Sequence, residues 1–119
     1  MANPNIVNVT NILGKTDVLN VTTAATDIVS NAAASNTVVK VNSLIVANVD
    51  GTNAALITAS VFRSSVEYPV AFTISVPADS TIILISKDTT IYLEEGDSLR
   101  LTASVNGDLT AICSYEIIS

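Results

Sequence analysis

The 119-residue chain is predicted to fold as a single all-β domain, an antiparallel β-sandwich of jelly-roll or immunoglobulin-like type. Three observations carry this. Apolar and polar residues alternate with the period of a half-buried strand in segment after segment. Turn-forming residues recur roughly every 8–12 positions, the spacing of a sandwich or barrel. No stretch shows a helical period, and the one alanine run, Ala32-Ala33-Ala34, is too short to sustain a helix against the cost of nucleation.

Taken in order, residues 1–5 are polar with a proline and are expected to form a flexible arm, leaving residues 6–119 as the one domain. Ile6 to Leu13 reads as a first strand, Gly14-Lys15-Thr16-Asp17 as a turn, and Val18 to Thr23 and Thr26 to Ser30 as two short strands. Thr37 to Val49 is a long strand in which Val39, Val41, Ile45 and Val49 share one parity while Leu44 and Val46 take the other. Aliphatics on both faces call for a bulge or for burial on two sides. Asp50-Gly51 then reads as a hairpin turn. It is followed by a strand with Ile57, Ala59 and Val61 on one face, and by a turn beginning at Ser64-Ser65.

Glu67 to Val76 alternates most regularly, which places Val70, Phe72, Ile74 and Val76 inward. On that reading Phe72→Ala would cost about 3–5 kcal/mol. Thr81 to Ser86 is a continuous aliphatic strand. Ile91-Tyr92-Leu93 and Leu99-Arg100-Leu101 flank the turn Glu94-Glu95-Gly96-Asp97. Asn106-Gly107 accepts positive φ at both central positions and is the strongest hairpin signal. Leu109, Ala111, Cys113, Tyr115 and Ile117 share one face of the last strand.

Composition narrows the function. Hydrophobic residues make up 49% of the chain and mean hydropathy is +0.53, yet no apolar run approaches the roughly 18 residues of a membrane span. Charged residues are only 13%, about half the usual share, so the surface is mainly Thr, Ser and Asn. Such a surface suits a subunit packed in an assembly, and also an extracellular module; on the first reading it predicts a homo-oligomer. Net charge is −6, and Lys15, Lys40, Arg63, Lys87 and Arg100 are scattered. That argues against nucleic acid and against anionic membranes as partners. The first residues, Met1-Ala2-Asn3-Pro4-Asn5, lack the regions of a signal peptide, so synthesis in a cytoplasm is expected.

No histidine is present to serve as a general base, and no Gly-x-Ser-x-Gly nucleophile motif occurs, so the chain is read as a non-enzyme. Cys113 is the single cysteine, which leaves no intramolecular disulfide and no thiolate zinc site; it is read as a small buried residue. Glu94, Glu95 and Asp97 supply the oxygen donors that calcium takes, but the reading adopted is a solvated, strand-reversing turn. Tyr68, Tyr92 and Tyr115 could make a sugar-stacking platform; the preferred reading places them at core edges or interfaces. Asn8-Val9-Thr10 and Asn20-Val21-Thr22 match the glycosylation pattern by chance in an Asn- and Thr-rich chain. Catalytic, cofactor-binding and metal-binding residues are assigned to none.

Three stretches carry a resemblance. These are Val41-Asn42-Ser43-Leu44-Ile45-Val46-Ala47-Asn48-Val49-Asp50-Gly51-Thr52, Thr73-Ile74-Ser75-Val76-Pro77-Ala78-Asp79, and Ile91-Tyr92-Leu93-Glu94-Glu95-Gly96-Asp97-Ser98-Leu99-Arg100. They resemble small virion structural proteins of tailed bacteriophages, of the type common in phages of marine bacteria and cyanobacteria. The resemblance extends from about residue 6 onward and consists of turns and strand patterns, not chemical signatures. It implies a virion location and, most specifically, a capsid decoration (cement) protein that bridges major capsid subunits as a trimer. A neck, tail or fibre-attachment protein is the alternative within that class. A carbohydrate- or surface-binding module is the alternative outside it.

Overall fold

The computed structural model describes residues 7–119; the arm expected at residues 1–5 lies outside them. Among the described residues nine strands form two antiparallel sheets. The first sheet has the order β1 (Ile12–Val21), β9 (Leu109–Ile118), β3 (Val38–Asn48), β6 (Thr81–Ile85), with β7 (Ile91–Leu93) also paired to β3. The second has the order β2 (Thr26–Ser30), β8 (Ser98–Ala103), β4 (Ala55–Arg63), β5 (Val66–Val76). β6 pairs with Leu44 to Ala47 and β7 with Val39 to Val41 along the same side of β3. The two are therefore one edge strand, interrupted by a 3₁₀ turn at Lys87–Thr89. Counted this way the sandwich has four strands in each sheet, and successive strands mostly alternate between sheets. That strand order is a jelly roll, which decides between the two sandwich types expected.

The core lies between the sheets. Leu44, Val46, Ile57, Leu93, Leu99, Leu101, Leu109 and Cys113 are all fully enclosed there. The expected inward positions hold for β8 and for β9, where Leu109, Ala111, Cys113 and Tyr115 are buried. In β3 the double-sided aliphatics come from a bulge. Between Val41, opposite Tyr115, and Ser43, opposite Ser114, the register shifts by one. Asn42 is the extra residue, so Val39 and Val41 point inward before it and Leu44 and Val46 after it.

Other expectations are corrected. Gly14-Lys15-Thr16-Asp17 is not a turn: β1 pairs without interruption from Ile12 opposite Ile118 to Val21 opposite Leu109. A ten-residue partner strand supplies a continuous ladder, and that outweighs the local turn preference of these residues. Asp50-Gly51, Asn106-Gly107 and Glu94-Glu95-Gly96-Asp97 are not hairpins. Each carries the chain from one sheet to the other. Among the described residues the tight hairpin is Ser64-Ser65, with φ of 53° and 63° between the paired Arg63 and Val66. Two positive φ values are the type I′ geometry that matches strand twist, adopted here without Asn or Gly.

The largest correction concerns β5. Its pairing with β4 shifts register twice, between Ile57 and Ala59 and between Ala59 and Ser60. Ala71 thereby takes the inward position opposite Ala59, and Thr73 adopts φ of 48°. β5 is also the outer strand of its sheet, so Val70, Phe72 and Ile74 stay exposed and only Val76 is buried. Phe72 is 67% exposed. Phe72→Ala is therefore expected to change the unfolding free energy by less than about 1 kcal/mol, measured by chemical denaturation. A loss of several kcal/mol would place the ring in the core after all.

Candidate functional site

One end of the sandwich gathers the β2–β3 segment, the β4–β5 hairpin and the β7–β8 corner. The corner begins where Leu93 leaves the first sheet and ends where Ser98 enters the second. Four residues make this crossing, and Gly96 takes φ of +88°, which a side chain would strain. Asn31, buried at the end of β2, fixes the path. Its backbone N–H donates to the Asp97 carbonyl and its carbonyl accepts from Gly96 N–H, both at 2.8 Å. Its side-chain Nδ2 donates to the carbonyls of Leu93 and Thr37, both at 2.9 Å. Asn48 plays the same part at the other end, donating from Nδ2 to the carbonyls of Val76 at 2.9 Å and Asn53 at 3.0 Å.

The three carboxylates of the corner go to different partners. Asp97 is buried and receives Arg63 through Nε at 2.9 Å and Nη2 at 2.5 Å, together with the backbone N–H of Glu94 at 2.8 Å. The hydrogen bond to Asp97 is the main cause holding the Arg63 guanidinium above its ordinary pKa. Glu94 lies outside and accepts from Arg63 Nη2 at 3.2 Å. Glu95 turns inward, only 6% exposed. Its Oε2 accepts the Asn36 N–H at 2.5 Å, while Oε1 is buried without a partner. Among the described residues no group of three or more such side chains is arranged to hold a metal ion. The solvated turn expected from the sequence is thus a buried ionic clasp: two of its three carboxylates are enclosed and spent on the fold.

Beside the clasp the sandwich opens. A cleft of about 450 Å³ is lined by Val61, Arg63, Tyr68, Ile91 and Tyr92. Its walls come from β4, the edge strand β5 and β7. Tyr68 and Tyr92 are brought to this cleft from strands of opposite sheets, and both are exposed. Two phenol rings, two aliphatic side chains and a guanidinium can stack on and hydrogen-bond a flat hydroxylated group. Tyr115 does not join them. It is buried on β9, its hydroxyl donating to Asp17 Oδ2 at 2.7 Å, and burial with that contact raises its pKa to about 12. Cys113, also on β9, is enclosed, and burial pushes its thiol up to about 12, in keeping with a packing role.

The acidic turns at the far end meet one another: the Val49 N–H donates to the Asp108 carbonyl at 2.8 Å and the Asp79 N–H to the Asp50 carbonyl at 3.1 Å. Asp50 accepts the Thr52 N–H at 2.9 Å, which is the main cause holding its carboxyl below the ordinary value. Of the side chains that build the clasp, sequence reading missed Arg63 and Asn31. Arg63 meets Asp97 from 34 positions away and Asn31 meets Leu93 from 62. No local motif marks either residue.

No protein-family model matches the chain, and no curated protein matches it. No helix among the described residues is long and apolar enough to cross a membrane.

Proposed function

We propose that this chain is a structural subunit of a tailed-bacteriophage virion. Its role would be that of a capsid decoration (cement) protein bridging neighbouring major capsid subunits, as a homo-oligomer, with a trimer at threefold positions of the shell as the first expectation. The observation that carries the reading is the exposure of large apolar side chains on a sparsely charged chain: Val18 at 71%, Phe72 at 67% and Ile83 at 66%. Surfaces of this kind are ordinarily covered by another protein. The jelly roll is a fold that capsid proteins use, although it also hosts many unrelated functions and supports the reading only by analogy. The phage assignment rests on the sequence resemblance. Synthesis in the host cytoplasm and final residence in the virion follow from it.

Copy number tests the proposal. Decoration of a capsid surface gives on the order of hundreds of copies per particle, because symmetry repeats one contact over the shell. A neck, tail or fibre-attachment role gives a few to a few dozen. Quantifying the protein in purified particles separates them, and a small count removes the cement role.

A second reading has its own observation. The meeting of Tyr68 and Tyr92 in one cleft favours a carbohydrate-binding module. Glycan binding that disappears on Tyr68→Ala or Tyr92→Ala, with no affinity for capsids, would establish it in place of the first.

A further inference from the structure

The outer face of the first sheet carries a row of aliphatic side chains in register across all four strands. Val18 on β1 stands opposite Ile112 on β9, Ile112 opposite Ile45 on β3, and Ile45 opposite Ile83 on β6. Their chain neighbours Leu19, Cys113, Leu44 and Ile82 pack into or against the core, so the alternation turns this row outward. Val18 and Ile83 are among the most exposed large side chains, and Ile112 is also exposed. The row below is neutral: Asn20, Thr110, Ala47 and Thr81. Above it, Thr16, Ser114 and Ser43 are followed by Gly14, Glu116 and Lys40. By strand parity, Glu116 and Lys40 are the charged residues this face presents among those described, so the face is neutral on a chain of net charge −6.

We infer that this face binds the same face of a second copy about a two-fold axis that runs along the strands between β9 and β3. Such an axis reverses the strand order, so β1 lies over the partner's β6 and β9 over the partner's β3. Val18 then meets Ile83, Ile112 meets Ile45, and Glu116 meets Lys40, each contact occurring twice. The arrangement is self-complementary in both shape and charge. It also places together a neutral sheet face, on which two acidic copies can approach without like-charge repulsion. Four strands about 4.8 Å apart and about 33 Å long offer roughly 600 Å² per copy, near the lower end of specific interfaces. Aligned sheets pack about 10 Å apart, and an axis along the strands keeps the two sheets aligned. The pairing rests on sheet register and does not depend on the virion reading.

Sedimentation of the full chain tests it. The wild type is expected to reach twice its 12.3 kDa mass in the micromolar range. Val18→Glu and Ile83→Glu, both at exposed strand positions, are expected to weaken association at least tenfold, while Phe72→Glu on the other sheet leaves it unchanged. Lys40→Glu and Glu116→Lys are each expected to stay monomeric. An equimolar mixture of the two regains dimers, because the altered charges match across the axis. Folding of every variant is checked by circular dichroism, and the mixture provides a gain of association that a folding defect cannot mimic. A wild type that remains monomeric overturns the inference. So does an oligomer, trimers included, that is indifferent to Val18→Glu and Ile83→Glu, or a mixture that associates no better than its components.

Discussion

Leu101→Ala is expected to lower the unfolding free energy by about 3–5 kcal/mol, the range for emptying a fully enclosed leucine site. Leu101 sits in β8, with Thr26 of β2 on one side and Ala59 of β4 on the other, and has no exposed surface. Both neighbouring ladders hold the β8 backbone in place, so the surroundings can close over the cavity only in part. A chain of this length has roughly 6–18 kcal/mol to lose, which makes the single change a large fraction of the whole. Urea titration monitored by circular dichroism would measure it. A loss below about 1 kcal/mol would mean that the interior collapses freely, contrary to close packing. Measured beside Phe72→Ala, it tests the assignment of inside and outside directly.

Asp97→Ala is expected to cost about 2–3 kcal/mol. The change strands two Arg63 donors and the Glu94 N–H at a corner where the chain changes sheets. Breaking a wholly buried pair costs about 3–5 kcal/mol. The loss here is smaller because the Arg63 side chain is 45% exposed, and water can take up its charge once the carboxylate is gone. Asp97→Asn retains acceptors for the backbone N–H and for part of the guanidinium, and is expected to cost about 1–2 kcal/mol. A double-mutant cycle with Arg63→Ala should show a coupling of about 1 kcal/mol or more. Additive effects would show that the two side chains stabilise the corner separately and not as a clasp.

Much of the fold was legible because alternation is a local property. The flanks of the corner, Leu93, Leu99 and Leu101, and the inward row of β9 were read correctly from spacing alone. Parity failed where a bulge intervened, since a bulge is defined by the partner strand. Asn42 betrayed itself through aliphatics on both faces, whereas β5 kept a regular alternation across two register shifts and gave no warning. Turn chemistry likewise reports a backbone dihedral and not a destination. Gly96 and Gly107 do take positive φ, yet each leads to the opposite sheet and not to a neighbouring strand. The clasp was half visible: the carboxylates could be seen, but not Arg63, which binds Asp97, nor the Asn36 N–H that Glu95 accepts. The tyrosine cleft was visible as residue types and invisible as a place, because only the jelly-roll crossing brings β5 and β7 together.

The strands at the rims of the two sheets have a consequence for how copies can meet. β5 is bulged twice, β6 and β7 are separated by a 3₁₀ turn, and β2 slips register between Asp27 and Val29. β1 is regular, but it carries Lys15 and Asp17 at positions of inward parity. Each is a device that spoils a strand edge as a template for another strand. Open-ended growth by strand addition, the route to fibres, is therefore blocked on every side of the molecule. What remains available for contact are the flat faces and the loops, where association can close upon itself and stop.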